Sequence, residues 1–183
     1  MTLEETIHIL TDDFCEDFAA DRARAAVGGG AVPHIYRLAT GNVPAGLPAV
    51  KKEQVNFRAA YVLERIFFDH PECFTPYRER FFSDFPATDN ESAKRHFSKI
   101  MLHLLKKQKP EAETCEKIAE ACAAWTADPK TRVGVKVWAV EILLALRDEV
   151  AWLDEALPDI MEPLGRDPSP GMQVRLRRWK YGD

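Results

Sequence analysis

The stretch Val55-Asn-Phe-Arg-Ala-Ala-Tyr-Val-Leu-Glu-Arg-Ile-Phe-Phe68 decides the fold of this chain. Its apolar residues recur at intervals of three or four positions, which is the spacing of one face of an α-helix. A strand would instead alternate apolar and polar residues with a period of two. The stretch therefore predicts a helix whose inward stripe consists of Val55, Ala59, Val62, Leu63 and Ile66.

The same helical period recurs along most of the chain, so we expect an all-α protein. Proline and glycine mark the breaks, at Pro110, at Pro129 and in the glycine run 28–30. The segment 131–147 is apolar nearly all round and contains β-branched residues, so a strand is the competing interpretation, but its length favours a helix. Helices are predicted over 3–10, 14–27, 32–39, 55–68, 74–85, 89–107, 112–126, 131–147, 149–162 and 171–180, with a loop over 41–48.

The longer helices repeat with a period of about 40 residues when they are superimposed. Ala59 aligns with Phe97, Ala139 and Leu176, at spacings of 38, 42 and 37 positions. Three independent columns stay apolar in this register, whereas a one-residue shift would bring Lys99 or Ser98 into the core. The columns contain Val55, Ala93, Val135 and Met172; Val62, Ile100, Ile142 and Trp179; and Ile66, Leu104 and Leu146.

The segments Ser92–Met101 and Gly134–Leu143 resemble the helices of HEAT-type repeats. In that family a small apolar residue and a basic residue precede the apolar stripe, and Lys94 and Lys136 occupy the basic position here. The first and last copies lack a basic residue at that position. The resemblance covers residues 53–180 and extends to small uncharacterised bacterial HEAT-like proteins.

This resemblance implies a right-handed α-α superhelix, a HEAT/armadillo-like solenoid of about four to five helical hairpins. We therefore expect residues 1–183 to form a single HEAT-like helical-repeat domain. Its expected parts are N-terminal helices or a cap over 1–50, repeats over 53–88, 89–128 and 130–163, and a terminal cap helix over 169–180. Such scaffolds host unrelated functions, so the resemblance implies partner binding only in general terms.

The composition narrows the functional classes. Of the 183 residues, 46% are apolar and 30% are charged, which is an ordinary globular balance, and the net charge of −4 does not favour nucleic acid or an anionic membrane as partner. The acidic N-terminus lacks the pattern of a signal peptide, and no apolar run is long enough to span a bilayer, so we expect neither export nor membrane insertion. Four cysteines without a C-x-x-C pair suit a reducing, cytoplasmic setting.

A polar strip beside the apolar stripe is the main candidate for a binding surface. Its members are spaced at three and four positions, so each set lies on one helix face. If the helices stack in register, the strip becomes a basic ridge with two aromatic rings, which suits phosphates, exposed bases or an acidic peptide. The competing interpretation is a solvated face without a ligand. The strip consists of Arg58, Tyr61, Arg65, His96, Lys99, His103, Trp138, Glu141, Arg175 and Arg178.

The sequence contains no pattern for a metal site, a cofactor site or a catalytic centre, so we predict no metal, no cofactor and no catalytic residue. His96 and His103 are two helical turns apart, too far to share one ion without a further ligand. The glycines 28–30 precede no Gly-Lys-Ser/Thr and are interpreted as a helix cap or hinge. The acidic residues at 12–13 and 16–17 are expected early in a helix, where carboxylates suit the helix dipole.

Two hypotheses for the function follow. The favoured one is a non-catalytic interaction scaffold that binds a protein or peptide partner along the solenoid surface. The alternative is a nucleic-acid-binding or DNA-repair protein, because helical-repeat alkylpurine DNA glycosylases have a similar fold and line one face with basic and aromatic residues and a catalytic acid. That resemblance implies roles for Arg58, Trp138, Glu141 and Arg178. A ridge interrupted by Glu141 and neighbouring acids would weaken it.

Overall fold

The structure is a computed structural model that describes residues 1–181, and no strand occurs in that range. The all-α prediction is therefore confirmed. Contacts between residues divide the chain into two compact units. The first comprises Met1–Asp84 with Thr88–Phe97, and the second comprises Phe85–Ala87 with the chain from Ser98 onward. The solenoid and the single-domain organisation stay predictions.

The first unit is built around a long helix against which three shorter helices pack: α1 (Leu3–Thr11), α2 (Phe18–Gly28), α3 (Val32–Ala39) and the long α4 (Ala49–Asp69). Its remaining elements are two short helices, the 3₁₀ turn Thr75–Tyr77 between them, and the first turns of a third helix. These helices are α5 (Pro71–Phe74), α6 (Arg78–Asp84) and α7 (Glu91–Lys107). At the start of α1, the Thr2 hydroxyl accepts from the Glu5 backbone N–H and the Glu5 carboxylate accepts from the Thr2 N–H, which caps the helix.

The second unit contains the rest of α7 and four further helices: α8 (Ala112–Ala127), α9 (Val133–Ala145), α10 (Leu153–Leu164) and α11 (Pro170–Tyr181). The competing strand interpretation of 131–147 is wrong, since α9 is a helix. It is apolar nearly all round because α8 and α11 both pack against it. Within residues 1–181, no helix combines the length and the hydropathy needed to cross a membrane.

The apolar columns of the predicted repeat lie inside the two units. Val55, Ala93 and Val135 are buried, and every other column member before α11 is buried as well. In α11 only Met172 is buried, whereas Leu176 and Trp179 are partly exposed. The repeat register therefore predicts buried positions in α4, α7 and α9, but in α11 it predicts only Met172.

At the repeat position that precedes the stripe, two of the copies make a similar contact, whereas Lys94 in the copy between them pairs with Glu91 at 2.5 Å. Asn56 donates to the carbonyl oxygens of Leu38 and Ala39, at 2.9 and 2.7 Å, and these oxygens lie at the end of α3. At the equivalent position, the Lys136 Nζ donates to the Thr126 carbonyl oxygen at 3.0 Å, near the end of α8. The last carbonyls of a helix have no partner within it. Asn56 and Lys136 thus each cap the C-terminal end of the preceding helix.

The main departure from the predicted helices lies between α1 and α2. Residues 14–17 were predicted as helix, but α2 begins at Phe18, and Asp12 has an extended backbone with ψ of 175°. The prediction that the acidic residues 12–13 and 16–17 lie early in a helix is therefore wrong. They belong to a connecting loop, which leaves Phe14 outside any helix.

Candidate functional site

The candidate site is an open groove of about 410 Å³ in the first unit, which we call the Phe14 groove. Three segments form it: the loop between α1 and α2, the first three turns of α4, and the start of α7. Its lining residues from α4 follow the i, i+3, i+4, i+7, i+8 spacing of one helix face. The lining consists of Phe14, Val50, Glu53, Gln54, Phe57, Arg58, Asn90 and Ser92.

Arg58 holds the loop that carries Phe14. Its side chain is almost completely buried, and its Nη1 atom donates to the carbonyl oxygens of Leu10 at 2.8 Å and Asp12 at 2.7 Å. The guanidinium carbon also lies 5.2 Å from the ring centroids of both Phe14 and Phe18, which is the geometry of a cation–π contact. The arginine therefore satisfies carbonyls at the end of α1 and supports the two rings.

Phe14 leaves a large apolar surface in water. Its ring stacks on Phe18 with centroids 4.8 Å apart, and the Phe57 and Tyr61 rings lie 6.4 and 6.3 Å away. Despite these contacts 52% of Phe14 is exposed, and Val50, which also lines the groove, is 79% exposed. A single exposed apolar side chain is ordinary, but two that line the same concavity indicate an interaction surface.

Asn90 and Ser92 contribute polar groups to the lining of the groove, and hydrogen bonds hold Asn90 in place. The Asn90 Oδ1 accepts from the backbone N–H groups of Ser92 and Ala93, both at 3.0 Å, and so caps α7. Its Nδ2 donates to the Glu53 carbonyl oxygen at 3.4 Å, which ties the start of α7 to α4. A lining that combines apolar and polar side chains is usual for a protein interface.

An aromatic cluster continues from the groove along α4. The rings of Tyr61 and His96 stack with centroids 4.8 Å apart, and His96 lies 5.7 Å from the Phe57 ring. The His96 Nδ1 is hydrogen-bonded to the Glu64 carboxylate, and both side chains are mostly buried. These contacts make the wall behind Phe57 stiff, because each ring is held by another ring or by a charged partner.

Four residues of the predicted strip come together in the second unit, around the carboxylate of Glu141. This glutamate is only 6% exposed, and Arg178 Nη1 donates to both of its oxygens at 2.9 Å. The Arg175 Nε lies 2.7 Å from Glu141 Oε1, at ion-pair distance but without the angle of a hydrogen bond. The Arg175 guanidinium also lies 5.7 Å from the Trp138 ring centroid. The cluster holds α11 against α9.

The other members of the strip are distributed over both units. Arg65 pairs with Asp69 at 2.5 Å on the exposed side of α4. Lys99 and His103 are partly exposed on α7. Burial, followed by the positive charges of Lys107 and Lys106, lowers the pKa of His103. Arg58, Tyr61, Arg65 and His96 belong to the first unit and the remaining six to the second, so a continuous ridge stays a prediction.

Sequence reasoning singled out Arg58, Tyr61 and His96 beside the groove but missed Phe14, Val50 and Phe57. The loop position of Phe14 could have been predicted from Asp17, because aspartate is favoured immediately before the first residue of a helix. A helix that begins at Phe18, as α2 does, leaves Phe14 in the preceding loop. Val50 and Phe57 lie on α4 beside the predicted apolar stripe. They are apolar themselves, so they belong neither to that stripe nor to a polar strip.

Within residues 1–181, no group of three or more His, Cys, Asp or Glu side chains is arranged to hold a metal ion. All four cysteines are free thiols. No family model, no curated protein and no solved structure matches this chain. The two clusters differ in what they offer chemically: in the Glu141 cluster two arginines share one buried carboxylate, whereas the Phe14 groove exposes apolar side chains to solvent.

Proposed function

We propose that this protein is a non-catalytic interaction scaffold of the HEAT-like helical-repeat type, and that it binds a segment of a protein partner in the Phe14 groove. The observation that carries the proposal is the half-exposed ring of Phe14 at the mouth of a groove that also contains Val50 and Phe57. Covering the exposed part of such a ring contributes about 1 kcal/mol. A partner that also covers Val50 and the Phe57 edge gains more.

The hydrogen bonds that hold the groove lining in place support this function. Arg58 is bonded to two backbone carbonyl oxygens beneath the loop, and Asn90 links α7 to α4 across the groove. A preformed site loses little conformational entropy when a ligand binds, so more of the contact energy appears as affinity. Aromatic anchors in such sites are the residues that most often dominate binding.

The helical-repeat part of the proposal is supported by the core columns and by the matching roles of Asn56 and Lys136. Both residues occupy the same repeat position and both donate to carbonyls at the end of the preceding helix. A repeated capping contact is expected when similar hairpins stack on one another. A cytoplasmic setting also belongs to the proposal, because all four thiols are free.

The alternative function, nucleic-acid binding or alkylpurine removal, has one observation in its favour. The pKa of His103 is lowered in part by Lys106 and Lys107, which reflects the positive charge at the end of α7. Against it, two of the arginines that would contact phosphates already have partners within the fold: the buried Arg58 donates to backbone carbonyls, and the partly exposed Arg178 is bonded to Glu141. A titration with single-stranded, duplex and alkylated DNA at increasing salt tests this alternative. Binding that weakens steeply with salt and falls in Lys106→Gln/Lys107→Gln would support it.

The proposed function is tested by selecting random dodecapeptides displayed on phage against the full-length protein. Each round includes subtraction against Phe14→Ala, which removes the exposed ring but keeps the backbone. The matched control is Phe68→Ala, since Phe68 is 46% exposed at the far end of α4 and lies outside the groove. We expect peptides that survive subtraction with Phe14→Ala, which has lost the anchor, and that are removed by subtraction with Phe68→Ala, whose groove is intact. Failure to enrich any peptide that distinguishes these two variants would contradict the proposal.

A further inference from the structure

The loop that presents Phe14 also presents three carboxylates to solvent. Asp13, Glu16 and Asp17 are exposed, and none of these side chains has an ion-pair or hydrogen-bond partner among residues 1–181. Their neighbour Asp12 differs, because its carboxylate lies 3.4 Å from Arg22. The three carboxylates are therefore not used to hold the loop, which Arg58 and the stacked rings already do.

A fourth carboxylate belongs to the groove itself. Glu53 lines it from α4, is exposed, and has no side-chain partner within the described chain. The nearby cations balance these charges only in part. The Arg58 guanidinium is buried and bonded to carbonyl oxygens. Lys52 lies about 200° around the helix from Val50 and so faces away from the groove, which leaves Lys51 as the adjacent positive charge on α4.

We infer that the partner segment is basic as well as apolar: one large apolar side chain seated against Phe14, Val50 and Phe57, with Lys or Arg residues beside it that face the carboxylates. This inference rests on the proposed function and adds the charge of the partner to it. The apolar anchor contributes most of the affinity, and the exposed carboxylates select the charge of the segment and speed its encounter. An acidic segment is repelled by the same groups.

The charge of the whole chain acts in the same direction, since its net charge is −4. Because the four carboxylates are exposed, their attraction is screened by salt over about 8 Å at physiological ionic strength. Each complementary pair at an exposed site changes affinity by about threefold, so several pairs together are measurable while no single pair dominates.

The composition of the selected dodecapeptides tests the inference separately from the proposed function. Peptides that depend on Phe14 and are enriched in Lys and Arg beside a large apolar residue would support both. Phe14-dependent peptides without a basic bias, or with an acidic one, would overturn the inference and leave the proposed function standing. No Phe14-dependent peptides would overturn both.

A charge-neutral variant provides the second readout. Asp13→Asn/Glu16→Gln/Asp17→Asn removes three charges from the loop, and Glu120→Gln/Glu155→Gln/Asp159→Asn removes three exposed charges from the second unit as a control. We expect the loop variant to weaken the best basic peptide about tenfold at low salt and the control to weaken it less than twofold. Equal effects of the two variants would overturn the inference, because long-range net charge would then explain the preference. Circular dichroism shows whether both variants retain their helices.

Discussion

The Arg58 Nη1 atom lies 2.8 Å from the carbonyl oxygen of Leu10, and this hydrogen bond joins the middle of α4 to the end of α1 across 48 positions of sequence. The same nitrogen donates to the carbonyl oxygen of Asp12, so one buried arginine satisfies carbonyls at the end of α1 and in the loop that follows it. The position of Phe14 depends on that contact. A residue that the sequence marks as a ligand for phosphate thus acts as a support for an apolar groove.

Replacing Arg58 by Ala is expected to lower the free energy of unfolding by about 2 kcal/mol. The change leaves two carbonyl oxygens without a partner and removes the contact beneath Phe14 and Phe18. Urea denaturation followed by circular dichroism measures the loss. Arg65→Ala is the control, because Arg65 pairs with Asp69 at the surface and should cost less than about 1 kcal/mol. Equal costs would contradict the role given to Arg58.

Replacing Glu141 by Gln is expected to destabilise the packing of α11 by about 2 kcal/mol. The substitution keeps the shape of the side chain but leaves Arg175 and Arg178 without their buried counter-charge. Hydrogen exchange of the α11 amides should accelerate, while exchange in the first unit stays unchanged. Glu155→Gln, on the exposed side of α10, is the control. Unchanged hydrogen exchange of the α11 amides in Glu141→Gln would contradict this structural role of Glu141.

The repeat register predicts which isoleucines and leucines of the second unit carry the core. Ile100 and Ile142 occupy one column and are completely buried, so Ala at either position should cost about 3 kcal/mol of unfolding free energy. Leu176 occupies the same relative position as Ala139 but is partly exposed, so Leu176→Ala should cost less than half as much. Comparable losses at all three positions would show that α11 is packed as tightly as the earlier helices.

The lowered pKa of His103 predicts the sign of one contribution to the pH dependence of stability. In the unfolded chain this histidine takes up its proton near pH 6.5, whereas in the folded protein it does so at lower pH. Between these two values the unfolded state binds more protons, so folding stability falls as the pH falls through that window. His103→Gln should therefore lose less stability than the wild type between pH 7 and pH 5. A steeper loss of folding stability in His103→Gln than in the wild type would contradict the predicted sign.

Helical period predicted the all-α class and most of the helices because it reflects local side-chain burial. The break at residues 14–17 was missed for a physical reason. Phe14 and Phe18 are four positions apart, which is typical of one helix face, and their rings do stack. The loop is shaped instead by Arg58, a long-range partner that local spacing does not reveal.

The candidate site was predictable only in part for the same reason. A strip of basic and aromatic residues identifies helix faces, but its meaning depends on which charges find partners within the fold. Arg178 and Glu141 are 37 positions apart and form an ion pair in which the carboxylate is buried and the arginine is partly exposed. The apolar surface around Phe14 could not be predicted in this way, because composition and charge patterns do not reveal exposed apolar side chains that line one groove.

The affinity of one selected peptide for three forms of the protein tests the central claim most directly. Titration calorimetry with the best Phe14-dependent peptide should give a dissociation constant about tenfold weaker for Phe14→Ala than for the wild type, because a half-exposed aromatic anchor is lost. The constant for Phe68→Ala should stay within about twofold of the wild type, since that ring lies outside the groove. Equal affinities of the wild type and Phe14→Ala would contradict the claim that this groove is the binding site.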